Sequence, residues 1–281
     1  MKVIAKKRTK IAAGTLKPSN LWCCQYWQVM KDVKEIRIVK YLPSNLKFDI
    51  YWDPTVEETG NVMAYKSGQV LYVCIQGHNF VYANENSSWM FSRLNCIRRI
   101  EGLELLNTSK VKTFKGAFMQ CGLDEKDSFC IVGVDKWDVS NVNDMSYMFS
   151  YAGYQAENWN IGDLSNWNTK SVQNMKGMFR YSGEKAKTWD IGNLRDWDVS
   201  NVTDMSEMFC NAGKRATKWF VGYLNSWNTS NVTSMSWMFA DAALRAEYFD
   251  IGRLERWDVS NVKTFRNFFR ANREPQWEQW E

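Results

Sequence analysis

The sequence predicts an α+β fold. Residues 89–281 are expected to form a solenoid of about seven coils, closed at the N-terminal end by a small α+β cap. Two observations lead there. A phrase recurs every 30 residues through the second two-thirds of the chain, the signature of stacked units that cannot bury an apolar face alone. Within each phrase the apolar spacing switches from period two to the i, i+3, i+4 pattern of a helical turn.

The phrase opens at Trp137, Trp167, Trp197, Trp227 and Trp257, reading WDVSNVNDMSYMF, WNTKSVQNMKGMF, WDVSNVTDMSEMF, WNTSNVTSMSWMF and WDVSNVKTFRNFF. Leu106 begins a weaker copy, LNTSKVKTFKGAF, and Trp89-Met90-Phe91 is the tail of one earlier still. The closing Phe falls at 91, 118, 149, 179, 209, 239 and 269.

Each unit has a readable interior. Leu164, Leu194, Leu224 and Leu254 precede the Trp by three residues, and the resulting L-x-x-W-x-V spacing resembles the strand of leucine-rich repeats. The alternation Trp137-x-Val139 places both side chains on one face of a strand. Met145, Met148 and Phe149 then predict a helical turn or two. An Ala-Gly turn follows, and an aromatic returns at Phe129, Trp159, Trp189, Trp219 and Phe249. Asp138, Asn168, Asp198, Asn228 and Asp258 alternate charge along the stack, so that Asn is expected to donate to its Asp neighbours and relieve repulsion between like charges about 4.8 Å apart.

Ahead of the repeats, residues 19–88 predict an α+β capping domain. A helix is expected over 19–32, a strand over Leu46–Trp52, and a hairpin joining Val70–Ile75 to Phe80–Tyr82. Trp277 and Trp280, beyond Pro275, are expected to cover the last coil. Residues 1–18 form a basic arm: Lys2, Lys6, Lys7, Arg8, Lys10 and Lys17 stand there without an acid. The formal charge is +5, and without those six the chain holds 30 basic and 31 acidic residues. The arm is read as a solvated, disordered terminus and as the place for weak contact with nucleic acid.

The arm lacks the apolar stretch of a secretion signal, and no run approaches the ~20 apolar residues of a membrane span, so a cytoplasmic location is expected, with a virion as the alternative. The seven cysteines have no zinc-like spacing and are read as reduced. His78 is the only histidine, which disfavours His-based triads and metal sites. No cofactor, metal or catalytic residue is expected, and the chain is read as a non-enzyme.

WDVSNVTDMSEMF resembles the repeat of BspA-like leucine-rich-repeat surface proteins, and KEIRIV, GNVMAY, VLYV and YANENSSWMF resemble that family's lead-in. The resemblance covers roughly residues 34–270 and implies a displayed adhesin or binding protein. Without the family's usual signal and anchor, the sequence fits a phage- or prophage-encoded product that binds and inhibits a host protein complex. The alternative is a structural, adhesin-like part of a virion or surface assembly.

A protein partner is the leading expectation. Positions that vary between coils form the exposed surface of a repeat stack, and here they carry Tyr147, Tyr151, Arg180, Tyr181 and Trp237, residue types enriched in binding hot spots. Lys185, Arg215 and Arg245 recur 30 residues apart as a basic stripe beside them. These eight are the candidate partner-binding residues.

Overall fold

The computed structural model describes residues 12–17 and 30–269. Among the described residues there are twelve strands: β1 (Ala12–Thr15), β2 (Glu35–Val39), β3 (Ile50–Trp52), β4 (Met63–Ser67), β5 (Val70–Cys74), β6 (Phe80–Tyr82), β7 (Arg99–Glu101), β8 (Leu106–Asn107), β9 (Ser128–Ile131), β10 (Asn158–Asn160), β11 (Thr188–Asp190) and β12 (Lys218–Phe220). They form three sheets, ordered β1-β6-β8, β10-β9-β7-β2-β5-β4-β3 and β11-β12. The largest is mixed: parallel from β10 to β5, then antiparallel through β4 and β3.

This corrects the expected α+β, leucine-rich-repeat-like solenoid with its α+β cap. The named helical elements among the described residues are four 3₁₀ turns of three residues each. The strands divide among separate sheets instead of forming the single ladder of a leucine-rich repeat. The Trp137-x-Val139 step is buried at both ends but lies outside the ladder, and the strand of that unit is Ser128–Ile131, around the earlier aromatic Phe129.

The missing helix has a physical cause. Met148 N–H closes a turn on the Met145 carbonyl (3.1 Å), Ser150 on Tyr147 (3.1 Å) and Ala152 on Phe149 (3.0 Å). The intervening N–H groups of Met145, Tyr147, Phe149 and Tyr151 cross to the carbonyls of Asn174, Lys176, Met178 and Arg180 in the following unit, at 2.9, 2.8, 2.8 and 2.7 Å. An α-helix would direct those donors four residues back along its own chain. Left-handed backbone at Tyr147 (φ 58°) and Tyr151 (φ 58°) interrupts it every fourth residue. The 3-1-3 spacing of Met145, Met148, Phe149 and Ala152 suits this ribbon of turns as well as it suits a helix, and all four side chains are buried.

Equivalent residues of successive units pair in parallel at Asn86, Thr113, Asp144, Asn174, Asp204, Ser234 and Thr264. Aromatic side chains stack in register between them: Phe118 on Phe149 at 5.2 Å, Phe149 on Phe179 at 5.6 Å, Phe179 on Phe209 at 5.5 Å and Phe209 on Phe239 at 5.2 Å. Each key Trp also donates its indole N–H one unit back. Trp137 reaches the Leu103 carbonyl (3.1 Å), Trp167 that of Val134 (3.2 Å), Trp227 that of Leu194 (2.9 Å) and Trp257 that of Leu224 (2.8 Å). The position therefore needs both a large ring and a donor, and each of these indole N–H groups is satisfied.

The Asp/Asn column behaves differently from expectation. Asp138, Asn168, Asp198, Asn228 and Asp258 each accept, through Oδ1, the backbone N–H two residues ahead. The inter-unit donors are the amides three residues on: Asn141 to the Ser109 carbonyl (2.9 Å), Asn201 to Lys170 (2.8 Å), Asn231 to Ser200 (2.6 Å) and Asn261 to Ser230 (2.7 Å). The 60-residue period reappears inside, where Thr169 and Thr229 donate to the carbonyls of Asp198 (2.9 Å) and Asp258 (2.8 Å) from a column in which they alternate with Val139, Val199 and Val259.

One sheet joins strands from both sides of residue 88, since β2 lies between β5 and β7. The expected hairpin does not form: β5 pairs with β4, whereas β6 joins β1 and β8 in another sheet. The expected strand at 46–52 shrinks to Ile50–Trp52. Part of the basic arm is ordered, contrary to the reading of a solvated terminus. β1 lies parallel to β6, Leu16 is buried, and Lys17 pairs with Glu58. The rest of the arm, nearly all of the expected helix at 19–32, and the Trp277–Trp280 cover lie outside the described residues. Among the described residues no helix is long and apolar enough to cross a membrane, and Cys74, Cys96, Cys121, Cys130 and Cys210 are all free thiols.

Candidate partner-binding face

The ribbon of turns carries two columns of left-handed residues. One contains Trp89, Gly116, Tyr147, Gly177, Glu207 and Trp237, the other Gln120, Tyr151, Tyr181, Asn211 and Asp241. Glycine serves a stated purpose in the first column. A Cβ at Gly177 would lie 2.6 Å from the Tyr147 ring, so Tyr147 lies flat across the next unit. Trp89 covers Gly116 in the same way.

In the second column Tyr151 stacks on Tyr181 at 4.6 Å and 13°. The Arg180 guanidinium stands 5.4 Å from the Tyr181 ring centre and 6.0 Å from that of Tyr151, within cation–π range. Arg180 pairs with Glu207 at 2.8 Å, while its Nε is buried without a hydrogen-bond partner among the described residues. Burial is the main cause that pushes the Tyr151 phenol above its ordinary range, with the Arg180 charge opposing it. Tyr154 is raised too, by burial first and then by the negative charge of Glu184.

Arg180, Tyr181 and Trp237, the last 40% exposed, line one cleft of about 430 Å³ together with Cys210 and Ala240. Lys214, also in its lining, bridges Asp241 (3.0 Å) and Asn211 (3.0 Å). Glu184 lines it too and pairs with Arg215 at 3.6 Å.

A second cleft, of about 460 Å³, gathers Lys126, Gln155, Glu157, Lys185, Lys187 and Arg215. Lys185 bonds Gln155, and Lys187 pairs with Glu157 at 2.6 Å. The structure thus brings Arg180, Tyr181 and Trp237 to one cleft and Lys185 and Arg215 to its neighbour. Tyr151 backs the first cleft through the tyrosine stack, and Tyr147 occupies the adjoining column. Arg245 is exposed and lines neither cleft, although its backbone N–H bonds the Lys214 carbonyl (3.2 Å).

Sequence reasoning did not count Tyr154, Glu184, Glu207 and Asp241 among the binding residues, and it placed Lys214 only beside the basic stripe. The 30-residue register was the signal that could have found them, because Tyr154, Glu184 and Lys214 occupy one column and Asp241 follows Tyr151 and Tyr181. A further exposed aromatic group, Phe220, Tyr223 and Tyr248, lies along the strand rows of the last units.

Units that pair in parallel at a 30-residue interval, with a variable charged and aromatic face, define a repeat protein. The chain belongs to the family described as "Mycoplasma protein of unknown function, DUF285", whose model matches residues 85–191 and 181–280. No curated protein and no solved structure matches the chain.

Proposed function

We propose that this chain is a non-enzymatic protein-binding repeat module, working through the face that carries Tyr151, Arg180, Tyr181 and Trp237. The observation that supports it is the cleft lined both by an Arg held against stacked tyrosines and by a half-exposed Trp. Large aromatics and Arg around a partly desolvated hollow are the composition of interface hot spots, and here the tyrosines are immobilised by stacking before any partner arrives, which lowers the ordering cost of binding. The likeness of WDVSNVTDMSEMF to BspA-like surface repeats supports recognition over catalysis. The cations of the neighbouring stripe support a protein over a polyanion, because Lys185, Lys187 and Arg215 are each held by Gln155, Glu157 or Glu184.

The test captures a partner from extracts of the source cells and measures its affinity for purified variants. Trp237→Ala and Arg180→Ala should each weaken binding by about tenfold or more. Binding to duplex DNA should stay weak and fall steeply with salt. Tight DNA binding, abolished by changing Lys185, Arg215 and Arg245 together to Glu, would replace this reading with a nucleic-acid one.

A further inference from the structure

Four cations, Lys126, Lys185, Lys187 and Arg215, line the second cleft with a single carboxylate, Glu157. Glu157 takes up Lys187 at 2.6 Å, and Glu184, from the neighbouring cleft, takes up Arg215 at 3.6 Å. Among the described residues Lys185 bonds the neutral amide oxygen of Gln155 and no carboxylate, and Lys126 pairs with no acid. Two of the four positive charges are thus left without a counter-charge. The contact with Gln155 fixes the place of the Lys185 ammonium, and since an ammonium has three N–H donors, two remain for a ligand.

The backbone sets how far apart these charges stand. Glu157 N–H bonds the Lys126 carbonyl (2.9 Å), Lys187 N–H the Glu157 carbonyl (2.9 Å), Thr217 N–H that of Lys187 (3.0 Å) and Glu247 N–H that of Thr217 (3.0 Å). Lys126 and Lys185 therefore belong to units two apart, a span of about 10 Å along the stack. One carboxylate cannot neutralise both, whereas acidic side chains a few residues apart on an extended segment can. The patch is also short. Exposed carboxylates bound it, Asp127 beside Lys126 and Glu247 two units beyond Lys187. A phosphate backbone continuing along the stack would meet like charge at both ends, and a brief acidic run would not.

We propose that the second cleft receives a short acidic segment of the protein partner, with Lys126 and Lys185 as the receiving cations. This rests on the protein-binding reading above and names the chemistry that the partner presents beside the aromatic cleft.

The probe is acetyl-tetraglutamate amide carrying a neutral fluorophore, titrated into the full chain and followed by fluorescence anisotropy. Saturable binding that weakens as salt is added is expected, and the tetraglutamine analogue should not saturate. Lys185→Ala should weaken tetraglutamate binding about threefold, and Lys126→Ala with Lys185→Ala about tenfold, the scale of exposed ion pairs. Arg245→Ala removes the same charge from a side chain that lines neither cleft, and should change it by less than about twofold. Oligothymidylate binding should be indifferent to both lysine changes. Equal effects of Lys185→Ala and Arg245→Ala, saturation by tetraglutamine, or oligothymidylate binding that falls with Lys185→Ala would each overturn the proposal. The captured partner separates the two levels. A partner lost on Trp237→Ala or Arg180→Ala but indifferent to the double lysine variant leaves the binding face standing and removes the acidic-segment site. A partner indifferent to all of these changes removes both.

Discussion

Trp197 Nε1 donates to the carbonyl of Leu164, 3.0 Å away in the preceding unit. The same indole stacks on Trp167 with ring centres 6.1 Å apart. One side chain thus joins two units by packing and by a hydrogen bond. Trp197→Ala should cost about 3–5 kcal/mol through the lost packing and the cavity. Trp197→Phe keeps most of the ring and removes one of two hydrogen bonds to the Leu164 carbonyl, which still accepts the Trp167 N–H at 3.1 Å, and this should cost about 0.5–1.5 kcal/mol. Urea denaturation of both variants checks the order; equal stability of Trp197→Phe and wild type would show that the N–H contributes nothing.

The repeat, its 30-residue register and its buried columns were legible in the sequence because identical positions must present identical chemistry to the neighbouring unit. The secondary structure was not. Met145, Met148, Phe149 and Ala152 have a spacing shared by a helix and by a ribbon of four-residue turns, and only the destinations of the N–H groups of Tyr147 and Tyr151 decide between them. Of the site, the aromatic and arginine positions were visible as variable residues. Glu184 and Asp241 were not singled out, since a carboxylate's importance here comes from its burial and its partners across units.

Gly177 lies beneath the Tyr147 ring at φ 58°. Gly177→Ala should destabilise by about 1–3 kcal/mol, combining left-handed backbone strain with displacement of the ring. Tyr147→Ala removes the ring, so the double variant should recover part of that cost while the backbone share remains. A double-mutant cycle measures the coupling; strict additivity would mean that the ring does not rest on the glycine.

Removal of residues 1–17 takes away β1 and the buried Leu16, whose N–H bonds the Tyr82 carbonyl at 2.8 Å. Burial of one Leu contributes about 2 kcal/mol, and about 2–4 °C of melting temperature accompanies each kcal/mol in a chain of this size. The truncated protein should melt several degrees lower by differential scanning calorimetry. An unchanged melting temperature would show that the segment contributes no net stability.

Burial pushes the Cys121 thiol above its ordinary value of 9.0. The unfolded thiol ionises near that value and the folded one does not. The contribution is therefore fully present below pH 9.0 and is lost as pH rises beyond it, at about 1.4 kcal/mol per pH unit. Wild type should lose stability more steeply than Cys121→Ala between pH 9 and 10 in paired urea titrations. Parallel slopes would place the thiol in contact with solvent.

The central claim is that the Tyr181–Trp237 face meets a protein. Hydroxyl-radical footprinting of the chain with and without its captured partner reads it directly, because aromatic side chains are the main reporters and two exposed groups can be compared in one experiment. Trp237 is 40% exposed in the proposed face, whereas Tyr223 and Tyr248, outside it, are 51% and 70% exposed. Protection of Tyr181 and Trp237, with Tyr223 and Tyr248 labelled as before, is the predicted result. Protection of Tyr223 and Tyr248 with Trp237 still labelled would move the binding surface to the strand rows and contradict the account.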